Sequence, residues 1–316
     1  MRLAWVGVHA EGLPALEALL RMETPIHGVL TLRPELAAGK SATGDYATTC
    51  QRHGVPLHFV TNLNHPEAHK VLEALSPDVV FVIGWHQIVR PATLRLARLG
   101  MIGAHASLLP ANRGSAPINW ALIRGERETG NTLIWLADEL DAGDIIDQVA
   151  FPITPYDTCA TLYDKVAASN RDMLVRLVPR LLAGERPGRS RPRSTDPVLP
   201  RRRPADGKIP WSRPSCAVYD FIRALARPYP GAFSALEGRR WFIWQAALPP
   251  AASLTSGEPG TVLGPVVSPV PEACGQLIAC GEGGVIVLEL EAEDATVLRG
   301  RALSDQSWSG KRWTDA

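Results

Sequence analysis

The fold is decided by one stretch of the sequence, MIGAHASLLPANRGSAP, which covers residues 101–117. It opens with an apolar run, residues 101–106, that carries His105 near its end and then passes into a turn at Pro110. Similar apolar runs recur upstream, at residues 3–8, 26–32, 57–60 and 79–83. Amphipathic helical patterns separate these runs, at residues 13–20, 67–75 and 91–98. Short apolar strands that alternate with helices predict an α/β fold with a doubly wound, mostly parallel sheet covered on both faces.

The second half of the chain has a different composition. A helical pattern at residues 160–182 is followed by a segment rich in Arg, Pro and Ser, which predicts a solvated linker. Several short strands broken by Gly and Pro come after it, a pattern typical of a small barrel or curled sheet. The sequence therefore predicts an N-terminal α/β domain, residues 1–185, a linker, residues 186–205, and a small β-rich, OB-like C-terminal domain, residues 206–316.

Length and composition bound the class of protein. A chain of 316 residues is long enough for two domains of about 150 residues each. Hydrophobic residues make up 46% and charged residues 21%, and no apolar run approaches the roughly 20 residues of a membrane span. A net charge of +1 gives no overall field that would recruit nucleic acid or an anionic membrane. Five scattered cysteines without a C-x-x-C pair predict free thiols, so we expect a cytoplasmic protein.

Three motifs for a bound cofactor or metal are incomplete. The turn after the first strand, residues 7–12, lacks the glycine spacing of a dinucleotide-binding fingerprint. The sequence around Lys40 imitates the end of a phosphate loop, but Pro34 occupies the position of the required upstream glycine. His65 and His69 stand four residues apart without a third ligand nearby. The sequence therefore predicts no metal, and an activity in which a substrate or carrier brings its own reactive group.

His105 and Asp141 are the candidate acid/base pair. A second apolar strand, residues 129–136, leaves through a loop that contains Asp141. If this strand lies beside the strand of His105, Asp141 can approach the imidazole. A carboxylate beside an imidazole fixes its tautomer and stabilises its charged form, which suits proton transfer near pH 7. The structural alternative is a histidine that is only a satisfied part of the core beside a turn.

A longer stretch resembles a known family. Residues 105–146 read HASLLPANRGSAPINWALIRGERETGNTLIWLADELDAGDII, which resembles the folate-dependent formyltransferases. That family has an Asn-x-His-x-Ser-Leu-Leu-Pro strand and a later Asp-x-Gly loop, and it moves a formyl group from 10-formyltetrahydrofolate to an amine. Residues 223–234, RALARPYPGAFS, are similar to the second-domain signature of its methionyl-tRNA and sugar branches, most of all the UDP-4-amino-4-deoxyarabinose formyltransferases.

The resemblance implies roles for individual residues. His105 matches the catalytic histidine, and Asp141 matches the aspartate that supports it. The donor-binding stretches of the sugar branch fall on Gln87, Ile88, Val89, Ala137, Asp138, Glu139, Leu140 and Asp141. Ser107 and Arg113 match motif positions that either bind substrate or shape the turn after the strand. The implied co-substrate is 10-formyltetrahydrofolate or another one-carbon tetrahydrofolate.

The sequence departs from the family pattern at the reaction site. Gly103 stands where the family has its catalytic Asn, whose amide donates to the developing oxyanion; losing such a donor costs about 10²–10³ in rate. Ser115 replaces an arginine that contacts the donor in the sugar branch. Because Gly103 and His105 share one face of their strand, we hypothesise that Asn131 on the neighbouring strand supplies part of the missing amide. The alternative is that Asn131 only satisfies backbone groups near the start of its strand.

The resemblance implies one-carbon transfer from a tetrahydrofolate carrier to a primary amine of a small molecule, such as an amino sugar. Transfer of a formimidoyl or larger acyl group stays open, because Gly103 would leave space beside His105. A methionyl-tRNA formyltransferase has less support, since only the Arg-rich linker is basic. A catalytically weak module that binds folate or a sugar nucleotide is a further alternative. We expect neither nucleic acid nor a membrane as partner, and the oligomeric state has no signature in the sequence.

Overall fold

The computed structural model describes residues 1–190, 194, 196–250 and 257–314. The chain divides into two compact units. The N-terminal unit comprises Met1–Pro117, Glu128–Pro152 and Leu162–Pro200, and the C-terminal unit comprises Ile118–Arg127, Ile153–Thr161 and Arg201–Ala316. The predicted domains were continuous segments, whereas each unit is built from several; the predicted bounds stay a prediction.

In the described part of the N-terminal unit, seven strands form one sheet in the order β3-β2-β1-β4-β5-β6-β7. The strands are β1 Leu3–Val6, β2 Ile26–Leu32, β3 Leu57–Val60, β4 Val79–Val82, β5 Gly100–His105, β6 Glu128–Trp135 and β7 Ile145–Pro152. Strands β1 to β5 pair with one another in parallel, whereas β6 is antiparallel to β5 and to β7. The doubly wound, mostly parallel sheet predicted from the sequence is confirmed.

Several helices of the first 182 residues carry sequence signals at their ends. They are α1 Leu13–Arg21, α2 Pro34–Ala37, α3 Tyr46–His53, α4 Pro66–Leu75, α5 Pro91–Leu94, α6 Pro117–Ile123 and α7 Cys159–Leu182. At the start of α3, the Asp45 carboxylate accepts a hydrogen bond of 2.9 Å from the N–H of Thr48. The same helix ends at Gly54, which has a φ of +65° that glycine adopts without strain. A proline stands in the first turn of both α1 and α4, where its missing N–H has no helical partner to lose.

The sheet is buried on both faces. The α7 face buries Trp5, Phe81, Ile102 and Leu133 against Leu16, Leu19, Met173, Leu174 and Leu177. The α4 face buries Ala4, Val6, Val80, Val82 and Met101 against Leu63, Ala68 and Leu72. Successive strand side chains point to opposite faces, so positions 103 and 105 of β5 lie on the α4 face together with Met101.

The carboxyl ends of β1, β4 and β5 lie side by side at the same end of the sheet. The carbonyl oxygen of Gly84, just after β4, accepts a hydrogen bond of 3.0 Å from the N–H of His9, just after β1. Val82 of β4 is in register with Gly103 of β5, so His105 ends β5 beside the same loop. In doubly wound sheets, ligands bind at this end.

The loop after β6 approaches the site from another direction. Because β6 is antiparallel to β5, its exit lies near the amino end of β5, where the N–H of Leu136 donates to the carbonyl oxygen of Met101 at 2.7 Å. Further along the same loop, Asp141 lies beside His105. The loop therefore runs back along β5 before β7 begins.

The C-terminal unit is a small β-rich body. In its described residues, six strands form an antiparallel sheet in the order β10-β11-β12-β9-β8, with β13 paired to β12. The strands are β8 Ala232–Leu236, β9 Arg239–Ala247, β10 Val262–Val266, β11 Gly275–Ala279, β12 Gly284–Ala292 and β13 Val297–Arg299, and the helices are α8 Ser215–Leu225 and α9 Arg301–Ser304. The final segment pairs Thr314 with Ala235 of β8 and Arg312 with Thr261 just before β10. This segment bridges the two edge strands, and the predicted β-rich second domain is confirmed.

The described residues of the Arg-rich segment are mostly exposed, in keeping with a solvated linker, and a few of them make specific contacts. The N–H of Leu199 donates to the carbonyl oxygen of Arg113 at 2.7 Å, and Leu199 is 3% exposed. The indole N–H of Trp135 donates to the carbonyl oxygen of Pro187 at 2.7 Å, and the Arg186 guanidinium lies 4.4 Å from the centre of the same ring. Residues 191–193 and 195 lie outside the described residues. Backbone pairing leaves no trace in a count of Arg and Pro residues, so the composition could not predict these contacts.

None of the helices in the described ranges is both long and apolar enough to cross a membrane.

Candidate active site

His105 stands at the end of β5 with its side chain about nine-tenths buried. Its Nε2 lies 2.8 Å from the carbonyl oxygen of Asn112. Because a carbonyl oxygen only accepts hydrogen bonds, Nε2 carries a proton and donates it to this oxygen. In the neutral imidazole the proton acceptor is then Nδ1.

Asp141 faces that second nitrogen. Its Oδ2 is 3.6 Å from Nδ1 of His105 and accepts a hydrogen bond of 2.9 Å from the backbone N–H of Gly114. The distance to the imidazole exceeds that of a hydrogen bond, but a proton added at Nδ1 would lie against the carboxylate. The sequence predicted this proximity, and the structure brings the two side chains together; their catalytic role stays a prediction.

Gly143 fixes the loop that carries Asp141. A β-carbon at position 143 would lie 1.6 Å from the carbonyl oxygen of Trp135, so only glycine fits there. Asp141 itself adopts a φ of +51°, a left-handed conformation that aspartate tolerates better than most residues. The backbone geometry of this loop therefore requires a glycine two residues after Asp141.

Ser107 lies in the turn after β5 and is fully buried. Its hydroxyl donates to the carbonyl oxygen of Ala111 at 2.8 Å, and its own carbonyl oxygen accepts from the hydroxyl of Thr132 at 2.6 Å. These contacts favour the turn-shaping role for Ser107 over direct substrate binding.

Arg113 joins the two loops that flank His105. Its Nη1 donates to Oε1 of Glu139 at 2.9 Å, and Nη2 lies 3.5 Å from the carbonyl oxygen of Ser194. The Arg113 side chain is 10% exposed, whereas the Glu139 side chain is 62% exposed. Arg113 thus tethers the predicted donor loop to the turn after β5.

The two predicted donor-binding stretches are loops with exposed apolar side chains. Gln87 is bound within the protein: its Oε1 accepts from the N–H of Leu63 at 3.0 Å, and its Nε2 donates to the carbonyl oxygen of Thr61 at 3.1 Å. Ile88 is 66% exposed and Leu140 is 36% exposed. The other members are Val89, which packs on the α4 face, and Ala137, Asp138 and Glu139, which are exposed. The role of these two stretches in binding the donor stays a prediction.

Gly103 does not open the space that the sequence predicted beside His105. A β-carbon at position 103 would lie 2.6 Å from Cδ2 of Leu136, so this leucine already fills that volume. The expectation failed because a glycine removes side-chain volume only where no neighbour takes its place.

Asn131 lies on the wrong face for the hypothesised role. Its Nδ2 donates to Oδ1 of Asn170 at 2.6 Å and to the hydroxyl of Ser169 at 2.9 Å, both on α7. His105 pairs with Thr132 in the β5–β6 register, so Asn131 points to the opposite side of the sheet. The prediction that Asn131 supplies an amide beside Gly103 is therefore wrong. The register between β5 and β6 decides which face of the sheet Asn131 lies on, and the local sequence does not specify that register.

A second polar group at the same end of the sheet went unnoticed in the sequence. His9, just after β1, has Nδ1 at 3.3 Å from Oε2 of Glu11, and its ring centre lies 6.1 Å from that of His86 and 5.0 Å from that of Tyr163. His9 and His86 each follow an apolar strand within a few residues, which is the signal that could have identified them. Within the described residues, no cluster of three or more His, Cys, Asp and Glu side chains is arranged to hold a metal ion.

Two family models match most of the chain. The model described as "Formyl transferase" matches residues 35–178, and the model described as "Formyl transferase, C-terminal domain" matches residues 202–306. Together they include His105, Asp141 and the second-domain signature at residues 223–234.

Solved structures with the same fold are similar to both units. HypX from Aquifex aeolicus in complex with tetrahydrofolic acid has a TM-score of 0.63 at 18% identity, over 95% of this chain and 46% of that one. The chain thus spans about half the length of HypX. WlaRD, a sugar 3N-formyl transferase with dTDP and 5-N-formyl-THF, has a TM-score of 0.65 at 16% identity, over 91% of this chain and 97% of that one.

A third structure is the N-formyltransferase from Helicobacter canadensis in complex with folinic acid and dTDP-3-aminofucose. Its TM-score is 0.66 at 16% identity, over 90% of this chain and 98% of that chain. At such identities the likeness shows the fold, whereas the two family models identify the sequence. The chain therefore belongs to the formyl transferase family and carries both its N-terminal and its C-terminal domain.

Proposed function

We propose that this protein transfers a formyl group from 10-formyltetrahydrofolate to a primary amine of a small molecule, with an amino-sugar nucleotide as the acceptor class. The observation that carries the proposal is the position of His105, whose Nε2 is fixed by the Asn112 carbonyl and whose Nδ1 faces Asp141. An imidazole held between a neutral acceptor and a carboxylate is suited to take a proton and to hold the resulting charge.

The donor class is supported from two sides. The similar structures contain tetrahydrofolic acid, 5-N-formyl-THF and folinic acid, all of them folates. In this chain, Ile88 and Leu140 expose apolar surface in the two loops that the family resemblance assigns to the donor. The flat pterin ring would pack against such side chains and hydrogen-bond to the loop backbone.

Proton movement follows from the tautomer of His105. Formyl transfer forms a bond between the acceptor nitrogen and the formyl carbon and breaks the bond from that carbon to N10 of the donor. The Nδ1 atom of His105 would accept the proton that the amine loses, because Nε2 already carries a proton. Asp141 would stabilise the imidazolium, which then returns a proton to N10. The contribution of such general acid/base work is about 10²–10⁴ in rate.

The acceptor class rests on the sugar enzymes among the similar structures. One of these structures contains dTDP and the other contains dTDP-3-aminofucose, and this chain covers 97% and 98% of their lengths, so both domains are shared. A net charge of +1 gives no general attraction to a polyanion such as tRNA.

Turnover of the full chain with 10-formyltetrahydrofolate and a panel of amines tests the proposal. The panel holds dTDP-3-aminofucose, UDP-4-amino-4-deoxyarabinose, free amino sugars and methionyl-tRNA. We expect formylation of an amino-sugar nucleotide, and a loss of about 10²-fold or more in kcat for both His105→Ala and Asp141→Asn. Asp144→Asn is the matched control, because this exposed carboxylate lies in the same loop.

Two results would contradict the proposal. Near-parental turnover in a folded Asp141→Asn or His105→Ala variant would remove the assigned pair. Binding of a folate without transfer to any amine would indicate a binding module instead of an enzyme.

A further inference from the structure

Leu136 occupies the place that a side chain at position 103 would take. A β-carbon built on Gly103 would lie 2.6 Å from Cδ2, 3.3 Å from Cγ and 3.6 Å from Cδ1 of this leucine. Contacts under 3.0 Å are closer than van der Waals packing allows, so any larger residue at 103 displaces Leu136.

The leucine is held in this position by its backbone. Its N–H donates to the carbonyl oxygen of Met101 at 2.7 Å, which extends the β5–β6 pairing by one residue. Ile134 pairs directly with Gly103, and residues two apart on a strand share a face. Leu136 therefore leans diagonally across Gly103 on the α4 face, the face on which His105 lies.

The packing of the Leu136 side chain holds it in place, so that it forms a fixed wall of the space beside Gly103. Leu136 contacts the buried group formed by Leu109, Ile134 and Ile145, and it also packs on the α4-face core. It remains partly exposed, and the residue that follows it opens the predicted donor loop.

We infer that Leu136 is a specificity-determining residue, which restricts the space beside His105 to a one-carbon group. This inference rests on the proposed function and deepens it. Although glycine replaces the family asparagine at position 103, the site gains no room there, since the Leu136 side chain fills the volume beside the glycine. A formyl group fits beside such a wall, whereas an acetyl group needs the volume of one more carbon. A wall of this kind discriminates by about 10–200-fold per additional carbon.

Binding of two donor analogues, measured without an amine acceptor so that no transfer occurs, tests the inference on the whole protein. Isothermal titration would compare 5,8-dideazafolates that carry either a formyl or an acetyl group at N10. We expect the wild type to bind the formyl analogue at least about 10-fold more tightly. Leu136→Ala should reduce this ratio to near unity by admitting the acetyl group, whereas Leu140→Ala, four residues further along the chain, should weaken both analogues without changing the ratio. An unchanged ratio in Leu136→Ala would overturn the inference.

Thermal unfolding of a double-mutant cycle provides an arm that needs no ligand. Gly103→Ala should lower the melting temperature by about 2–8 °C in the wild-type background, because the new methyl group meets Leu136. In the Leu136→Ala background the same change should cost little, and with Leu140→Ala the two effects should add. Additivity between positions 103 and 136 would contradict the packing on which the inference depends. If neither analogue binds while this coupling is present, the result contradicts the proposed folate donor but supports the packing of Leu136 against position 103.

Discussion

At the residue scale, the Asp-x-Gly spacing of the β6–β7 loop depends on one close approach. A β-carbon at Gly143 would lie 1.6 Å from the carbonyl oxygen of Trp135, so Gly143→Ala must move the loop backbone that carries Asp141. We expect a loss of about 1–3 kcal/mol in the free energy of unfolding, measured by urea denaturation, and a lower kcat. The lower kcat follows because Asp141 would no longer be held at 3.6 Å from His105.

Gly39→Ala is the matched control for this change. No described atom lies within 4 Å of the β-carbon it would add, so stability should stay within about 0.5 kcal/mol of the wild type. Equal stability of the Gly143→Ala and Gly39→Ala variants would show that the loop adapts freely.

The sequence could predict the pair of His105 and Asp141 but not the surroundings of Gly103. The pair follows from two motifs whose spacing the family resemblance supplies. The role of Leu136 depends on a diagonal contact across two antiparallel strands, and no motif includes both positions. Asn131 was misplaced for a related reason, since a register different by one residue would have turned it toward the site.

At the element scale, Asn131 belongs to the contact between β6 and α7. It donates to Asn170 and Ser169, so Asn131→Leu leaves buried acceptors on α7 without their donor. We expect a loss of about 1–3 kcal/mol in the free energy of unfolding. Turnover should change only a few-fold, because this side chain lies on the face opposite His105.

The double variant Asn131→Leu/Asn170→Leu separates hydrogen bonding from packing. Replacing both polar partners by apolar ones removes the unsatisfied group, so the double change should cost less than the sum of the single changes. Strict additivity would show that the 2.6 Å contact between the two amides contributes nothing to the docking of α7. A loss of turnover far beyond the loss of folded protein would return Asn131 to the reaction site.

The sequence pattern predicted the strands and helices, but it did not predict the contacts of the segment between the two family domains. The alternation of apolar runs and amphipathic patterns fixes the type of each element, because burial on both faces of a sheet demands it. By contrast, Leu199 is bound beside Gly114 through backbone pairing. Backbone pairing is compatible with nearly any side chain, so an Arg-rich composition concealed it.

At the scale of the whole molecule, the cysteines report on both units. Cys50, Cys159, Cys274 and Cys280 are buried, and Cys216 is exposed. Burial raises the pKa of the Cys50 thiol to about 11 and that of the Cys159 thiol to about 12, so neither forms a reactive thiolate at pH 8. We expect a thiol-specific disulfide reagent to titrate about one thiol per native chain at pH 8, and five after denaturation.

Cys216→Ser should abolish the fast reaction of the native chain. Burial also raises the pKa of the Cys280 thiol to about 12, so this thiol should not react in the native chain at pH 8. Two or more fast thiols in the native chain would mean that at least one unit opens readily.

Arg201 and Arg202, at the start of the long segment Arg201–Ala316 of the C-terminal unit, differ in their surroundings. Arg202 is half-buried, with its guanidinium 5.0 Å from the ring centre of Trp120 and 5.5 Å from that of Phe221, and burial lowers its pKa. Arg201→Ala removes an exposed charge of the same type and serves as the control. Arg202→Ala should cost about 1–2 kcal/mol in the free energy of unfolding because desolvated cation–π contacts are lost, whereas Arg201→Ala should be neutral.

Formylation of a small amine should keep its kcat/KM and its salt dependence in Arg201→Ala, because screening matters only where a polyanion is bound. A salt-dependent loss in that variant would indicate an acceptor with a phosphate backbone and would count against a small-molecule amine.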